Sequence, residues 1–507
     1  MLLTGLSAAL CPALLHAQYA SGLLVEGDLL PGEGRPAGIS SIAPAAVNDH
    51  GDFILRVITV DPFDLIPSRS YIWGSLDASP PTVLESSASL DGPGISNLSF
   101  THRVGLANDG SYAYVVDFRD TAISTVTNIR ALRSNLGEIL RETDPADAVA
   151  PPPPQYTWRT TIAQPYMDRY TGEIAFVGGY TQPTPNLVSV GAGAFRTGPL
   201  GTICLLKSGD PLPGTSGVVG SESAYRVSNL SCAPDLSHWL CIAYMTPSTA
   251  TPPSLGNADR TLVRSGQAAT TASGAVIREG QPIPVVDGGS PGTVLRGFDL
   301  FSINSSGSWI LRGYDGPNSE TDDFIMKDGV VIARQGQPYH WTPSLGTTGS
   351  MAINDDGDWL FVMGNTLFFN GRQLLRPGDV LDLFDAGYPA ELFTLLNLTI
   401  SNAGSAAVIT PRDAQGRPTI YILGRATELS PANRSILLRI DPYRVRADFD
   451  DDLRGTSQDL AMFLARYDQS AGPASLFDLN RDGFIWEEDL YAVLRDFGQD
   501  RTPAPTP

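Results

Sequence analysis

Two short patterns of apolar and polar positions alternate along the chain, and both predict a strand, a turn and another strand. The first sets a polar turn of Asn, Asp and Gly between β-branched or aromatic runs. It is clearest in AVNDHGDFILRV (Ala46–Val57), FSINSSGSWILRGY (Phe301–Tyr314) and MAINDDGDWLFVMG (Met351–Gly364), with weaker copies starting at Gly105, Tyr166, Ser231 and Thr399. The second is an apolar strand running into a charged turn: LLVEGDLLPG from Leu23, CLLKSGDPLPG from Cys204, AVIREGQPIP from Ala275 and VIARQGQPY from Val331. Looser versions begin at Thr82, Ile139 and Leu374, so each pattern occurs seven times.

The first turn recurs near Asn48, Asn108, Asp168, Pro234, Asn304, Asn354 and Ser401, a mean period of roughly 59 residues. A unit of that length holds about four short antiparallel strands with their turns. Seven such units predict a mainly β, seven-bladed β-propeller-like body, because each blade can bury both faces against its neighbours around a central channel. A β-solenoid or two stacked sandwiches is the alternative. In the propeller, Asn and Gly would supply the positive φ of each hairpin turn. Phe53, Trp239, Trp309 and Trp359, just after the turns, would pack between blades. Either the strand at Gly22–Val25 or the one at Ser435–Ile440 would complete the final blade.

Composition narrows the partners. The 507 residues carry 54 acidic and 34 basic side chains, a formal charge of −20, which argues against nonspecific nucleic-acid binding. Gly and Pro, 51 and 40 residues, fit many turns and short strands better than long helices. Residues 1–17, MLLTGLSAALCPALLHA, form a charge-free apolar stretch that reads as a signal peptide, with no membrane span expected in the mature chain. The expected location is therefore secreted, at the cell surface, or periplasmic. Of the cysteines beyond it, Cys204, Cys232 and Cys241, the latter two flank a polar turn and suit either a disulfide or two small buried side chains.

From Ala447 the pattern changes. Residues 447–500 hold 13 acidic and 4 basic side chains, and the apolar spacing becomes helical. DLNRDGFIWEEDL (Asp478–Leu490) places Asp478, Asn480 and Asp482 at loop positions one, three and five, Gly483 at six, the Phe484 carbonyl at seven and Asp489 at twelve. That is the oxygen spacing of an EF-hand-type loop: alternating side-chain oxygens converge on Ca2+ and glycine makes the bend. Thirty residues earlier, ADFDDDLRGTSQDL repeats it with Asp448, Asp450, Asp452 and Asp459, but Leu453 stands where the bend glycine should be, so weaker binding is expected there. Each loop runs into an amphipathic stretch, DLAMFLARY or DLYAVLRDF. The expected organisation is a body over residues 18–446, a small all-α module over 447–500 and a disordered Pro-rich tail over 501–507.

The paired loops, each ending in Asp and followed by one helix, resemble a type I dockerin, and more narrowly the dockerin-like modules ending secreted proteins of planctomycete-type bacteria. The resemblance implies that the module binds calcium in order to fold and docks on a cohesin-like or other cell-surface protein. The upstream repeats are similar to uncharacterised repeat regions of secreted bacterial proteins of the same kind, a resemblance that implies a propeller and brings no known activity with it. Their turn is also similar in part to the Asp-box of sialidase-like propellers, a folding device in those families.

Catalytic patterns are missing. His50, His102, His238 and His340 show no metal-ligand spacing, no Gly-x-Ser-x-Gly or Walker loop occurs, and Gly191–Arg196 fails the dinucleotide pattern at its third glycine. Asp49, Asp109, Asp355 and Asp356 lie in the repeated turns, where stabilising a bend accounts for them. No catalytic residue is nominated. The sequence therefore favours a noncatalytic binding or scaffold protein tethered by its calcium module, with polysaccharide as a possible ligand. The competing expectation is a carbohydrate-active hydrolase or lyase, whose acids, arginines and aromatics should cluster at one channel mouth.

Overall fold

A computed structural model of the chain describes residues 20–33, 37–60, 69–77, 79–90, 95–120, 129–149, 156–158, 162–181, 189–220, 227–247, 259–316, 322–339, 346, 348–375, 380–382, 392–398, 407–414, 416–428, 433–442, 456–470, 477 and 484–496. Up to Ile440 its described strands form seven sheets that follow one another along the chain. After β1 (Ala20–Val25), the first blade has a split inner strand, β2 (Gly38–Ile42) and β3 (Ala46–Val47), then β4 (Phe53–Val60), β5 (Arg69–Ser75) and β6 (Thr82–Ser86). The second blade is β7 (Ile95–Leu106), β8 (Tyr112–Asp120), β9 (Ile129–Ser134) and β10 (Gly137–Arg141). The third is β11 (Thr157–Trp158) and β12 (Ala163–Met167), β13 (Ile174–Thr181), β14 (Ser189–Gly198) and β15 (Gly201–Lys207). The fourth is β16 (Val218–Val219) and β17 (Val227–Cys232), β18 (Trp239–Thr246), β19 (Asp259–Arg264) and β20 (Gln267–Ala268).

The fifth blade is β21 (Gly297–Ile303), β22 (Trp309–Tyr314), β23 (Asp323–Lys327) and β24 (Val330–Arg334), and the sixth β25 (Thr348–Ile353), β26 (Trp359–Met363), β27 (Thr366–Phe369) and β28 (Arg372–Leu375). The seventh comprises β29 (Val380–Asp382), β30 (Leu392–Leu398), β31 (Ala407–Ile409), β32 (Ile420–Glu428) and β33 (Asn433–Ile440). Its sheet order is β30-β29-β1-β33-β32-β31, so β1 is laid against β33 and both ends of the repeat region share one blade. Inner strands pack in sequence, β3 on β7, then β12, β17, β21, β25 and β31, and β31 returns to β3. This is a closed seven-bladed β-propeller.

Closure uses polar contacts as well as the sheet. The Glu26 N–H donates to the Ser435 carbonyl at 2.8 Å, the Ser435 N–H to Glu26 Oε2 at 3.0 Å, and Arg434 Nη1 to Asp28 Oδ1 at 2.8 Å.

Strands between blades lose the alternating pattern of a one-faced sheet, because both faces are covered. Every residue of β13 is buried, and β4 is buried at five of its first seven positions. The clusters pair adjacent blades. Phe53 lies 4.8 Å from Tyr421 of the seventh blade, and Trp239 packs with Ala175 and Val177 of the third. Trp309 packs with Leu240 and Leu262 of the fourth, and Trp359 with Ile310 and Ile325 of the fifth. The aromatic residues after the turns therefore serve as expected. Burying each large apolar side chain contributes about 1.5–3 kcal/mol.

The repeated turns have a second function that their composition did not reveal. Asn48, Asn304 and Asn354, all buried, each accept backbone N–H groups of their own turn on Oδ1, from Asp52, Ser308 and Asp358 respectively. Each then donates from Nδ2 to a carbonyl of the next blade: Ala107 at 3.2 Å, Asn354 at 2.9 Å and Thr410 at 2.8 Å. The positive φ belongs to glycine, as at Gly51 (81°) and Gly357 (80°), and none of these asparagines adopts it. Asn is thus an inter-blade clip rather than the source of the bend. The seventh turn also differs from expectation: the clip from Asn354 lands at Thr410, between β31 and β32, and the turn placed near Ser401 lies outside the described residues.

The charged-turn pattern is the splice from the outer strand of one blade to the next. Gly27 N–H donates to the Ile39 carbonyl at 2.7 Å and Ile39 N–H to the Asp28 carbonyl at 2.8 Å. The same reciprocal pair joins Gly209 and Asp210 to Val219, Gly280 and Gln281 to Leu295, and Thr143 and Asp144 to Trp158.

Residues 22–439 form one compact unit, and the chain from Ile440 onward belongs to another. Described within the latter are α1 (Ser457–Leu464), β34 (Gln469–Ser470), β35 (Phe484–Ile485) and α2 (Glu487–Asp496). Thr456 caps α1, and Phe463, Ile485 and Val493 form a small core with Leu460, Phe477 and Leu490 at its edge. The two amphipathic stretches are helical as expected. The unit is not all-α, however, because Ser470 pairs with Phe484 and Gln469 with Ile485. Residues 1–17 and 501–507 lie outside the described residues.

Replacing Asn304 with Ala removes the clip and leaves the Asn354 carbonyl and the Ser308 N–H buried without it. The expected loss of stability is about 2–3 kcal/mol in chemical denaturation; an unchanged midpoint would mean that the clip contributes nothing.

Candidate functional site

Of the polar groupings among the described residues of the propeller, two bear on ligand binding, and they differ in chemistry. The first is the central channel. Three or four residues from the inner strand of each blade or the turn beside it line it, from Ala45–Val47 round to Ala407–Ile409, around a cavity of about 130 Å³. Typical small-molecule sites are about 300–1,000 Å³, so this cavity is smaller than most of them. Among the described lining residues none is a carboxylate; the charged ones are Arg103 and Arg169. Arg103 Nη1 donates to the Tyr166 hydroxyl at 2.7 Å, and its guanidinium lies 5.6 Å from the centre of that ring. Burial raises the Tyr166 hydroxyl pKa, so the phenol stays protonated.

Arg169 connects the channel to the turns. Its Nη1 donates to Asp49 Oδ1 at 2.5 Å, from the third blade to the first, and Asn108 Nδ2 donates to Asp49 Oδ2 at 2.9 Å. Burial alone would raise the Asp49 carboxyl, but Arg169 and the hydrogen bonds of Asn108 and Tyr170 outweigh it and hold the pKa below its ordinary value. Of the other turn acids, Asp109 stabilises its own bend, as the sequence suggested, whereas Asp355 and Asp356 reach across to turns of neighbouring blades. Asp109 Oδ1 accepts the Ser111 N–H and hydroxyl, Asp355 accepts the Ser305 N–H, and Asp356 accepts the Arg412 N–H.

The second place lies at the opposite ends of the strands in the fifth blade and its neighbour. Every inner strand breaks register near this end, and in β21 the break falls between Phe298 and Leu300, which sets Asp299 in a bulge. Bulges re-aim side chains and are common beside active sites. The Asp299 carbonyl accepts Asn229 Nδ2 at 3.0 Å, and Asn229 is itself a bulge residue with φ 50°. Around the Asp299 carboxylate stand Arg312, with Nε 3.7 Å from Oδ1, and Asp323, whose Oδ2 is 3.5 Å from Arg312 Nη2. Arg260 donates to the Tyr314 hydroxyl at 3.1 Å, and Glu279 accepts the Arg260 N–H at 3.2 Å. Loss of hydration raises the Asp299 carboxyl pKa; Arg312 opposes this and Asp323 reinforces it. Among the described residues Asp299 Oδ1, Arg312 Nε and Arg260 Nε have no hydrogen-bond partner. No motif marks these residues, which come from four strands and two blades.

The expected calcium ligands are described only in part. Asp478, Asn480, Asp482, Asp448, Asp450 and Asp452 lie outside the described residues. Asp459 and Asp489 occupy matching places in the first turns of α1 and α2, wholly buried, and accept the N–H of Thr456 at 2.8 Å and of Trp486 at 3.2 Å. Phe484 lies in β35 with its ring stacked on Trp486. These three fit a hard cation in donor type, since a buried carboxylate requires positive charge or strong donors. Among the described residues no three His, Cys, Asp or Glu side chains converge as a metal site. Cys204, Cys232 and Cys241 are free thiols; burial raises all three, Cys204 to about 11.

No family model matches the chain, and no curated protein sequence matches it. Among solved structures, it is similar to the β-propeller domain of the Trilobed protease from Pyrococcus furiosus, at 10% identity over 79% of this chain and 96% of that one, TM-score 0.33. It is also similar to Penicillium chrysogenum α-L-arabinanase, at 9% identity over 83% and 98%, TM-score 0.32. A third similarity is to prolyl oligopeptidase B from Galerina marginata, at 11% identity over 78% and 50%, TM-score 0.36. The fold assignment stands on the sheet order and the closed ring.

Arg169→Met should destabilise the protein by about 1–3 kcal/mol at neutral pH. Because the folded Asp49 pKa is depressed, its contribution is present above the unfolded value, about 4, and is lost as pH falls through the folded value. The stability gap between wild type and variant, measured by urea titration from pH 7 to 2.5, should therefore close at the acid end. A gap that is constant with pH would assign Arg169 to packing alone.

Proposed function

We propose that this chain is a secreted or cell-surface, noncatalytic binding protein. Its propeller presents a ligand, and its C-terminal dockerin-like module folds around Ca2+ and docks on a cohesin-like or other cell-surface protein. One observation supports the noncatalytic reading: the acids of the repeated turns are held by N–H groups, Asp109 within its own bend and Asp355 and Asp356 across to turns of neighbouring blades.

The calcium reading is supported by the oxygen spacing of Asp478, Asn480, Asp482, Phe484 and Asp489, and by the matching burial of Asp459 and Asp489 at their helix starts. Bound Ca2+ would supply the positive charge that lets those carboxylates converge. The chain itself contributes the small core of Phe463, Ile485 and Val493, which fixes both helix starts. A second reading, a carbohydrate-active enzyme, is favoured by the grouping of Asp299, Asp323, Arg312, Arg260 and Tyr314 at one end of the ring.

The full-length protein titrated with Ca2+ should show saturable binding by calorimetry and a rise in the melting temperature of the C-terminal transition. The double variant Asp478→Ala, Asp482→Ala should lose the binding attributed to the second loop and leave propeller melting unchanged. Equal calcium affinity in the variant would end the EF-hand reading of that loop.

A further inference from the structure

We propose that the Asp299 cluster is the ligand site of the propeller and that it takes a neutral, polyhydroxylated ligand, a sugar ring presenting vicinal hydroxyls. This deepens the binding reading above and rests on it. Three properties of the site point to that class.

First, donors and acceptors are interleaved. The Arg312 side chain is only 17% exposed, and its contacts are the two carboxylates at 3.5 and 3.7 Å, both beyond good hydrogen-bond length. A buried guanidinium with five N–H donors is costly to leave in that state. A sugar hydroxyl both donates and accepts, so adjacent hydroxyls can donate to the Asp299 carboxylate while accepting from a neighbouring guanidinium. Second, the charges nearly balance. Asp299, Asp323 and Glu279 stand against Arg312 and Arg260, so an anionic ligand meets carboxylates and a cationic one meets guanidiniums. A neutral polar ligand meets neither penalty. Third, Tyr314 and Tyr244 add half-buried aromatic surface beside Arg260, with Tyr244 packed against the core between the fourth and fifth blades.

Access and rigidity fit the same role. The Asp299 side chain is 43% exposed, although its Oδ1 is buried, so the other carboxylate oxygen faces solvent. The bulge that projects it is pinned by Asn229, which holds the carboxylate on the rigid inner strand rather than on a loop. The raised carboxyl pKa of Asp299 reflects the same partial dehydration.

The test uses the full chain and calorimetric titration with neutral cello-, xylo-, arabino-, manno- and galacto-oligosaccharides, with oligogalacturonate as the charged comparison. At least one neutral oligosaccharide should bind, oligogalacturonate should bind more weakly, and Asp299→Asn and Arg312→Gln should each weaken binding at least tenfold. Asp299 is exposed enough for the Asn variant to fold, and its melting temperature is measured alongside. Silence across the neutral panel, or preference for oligogalacturonate, overturns the ligand class. Neutral binding that both variants leave intact overturns the site while the binding-protein reading stands. Release of reducing ends that Asp299→Asn abolishes keeps the site and instead overturns the noncatalytic reading.

Discussion

The rest of the structure depends on one constraint: a four-stranded sheet that is apolar on both faces must have a neighbour on each side. Strands such as β13, buried along its whole length, cannot face water, and any open end of the series would expose a blade face of this kind. Closing the ring removes the open ends. The chain does this by lending β1 to the seventh blade, where Glu26, Asp28, Arg434 and Ser435 tie residues some 400 positions apart. The cluster joining Leu24, Phe53 and Trp73 to Tyr421 and Leu437 is the apolar side of the same closure.

Apolar faces alone would allow blades to slide, and the polar repeats prevent it. At Asn48, Asn304 and Asn354 the side chain bonds its own turn with one end and the next blade with the other, so blade geometry and blade spacing are set there by the same side chain. Where Asp168 replaces Asn, the carboxylate still accepts the Tyr170 and Thr171 N–H groups but can donate nothing. There the backbone supplies the link, from the Arg169 N–H to the Pro234 carbonyl at 2.9 Å. At the outer rim, the splices through Gly27, Thr143, Gly209 and Gly280 fix four of the connections from an outer strand to the next blade. A scaffold held at both radii presents side chains on inner strands with little freedom, which suits recognition of a small rigid ligand.

Charge is sorted within the propeller in a way that net composition hides. The chain carries −20 overall, yet arginine is the only charged residue type on the described channel wall, while described carboxylates lie in turns, in ion pairs such as Arg130–Asp117, Arg278–Asp259 and Arg334–Asp315, or around Asp299. A carboxylate in a turn is satisfied by nearby N–H groups. One in a bulge beside a second carboxylate is held by arginine and keeps an unmet demand for donors, and that difference separates structural acids from candidate binding ones here.

Much of this architecture was legible in the sequence. The two alternating patterns and their period gave the blade number, the aromatic residues after the turns gave the inter-blade packing, and helical periodicity gave the two helices α1 and α2. Such features are local or periodic, and a periodic signal survives without knowledge of what it packs against. Other features depended on which segments meet in space. The Asn clips resembled ordinary turn chemistry because their partners lie 50 to 59 residues away. The seventh clip partner, Thr410, was not legible because nothing local in TISNAGSAAVIT marks it as the residue that Asn354 meets. Asp299, Arg312, Asp323 and Arg260 share no motif, for they are single residues on four strands of two blades. Sequence alone therefore determined the repeat, because hydrogen-bonded turns and two-faced strands impose composition locally. Only the tertiary structure decided where the ring closes and which acids stand together, because a binding cluster needs spatial proximity and leaves no periodic trace.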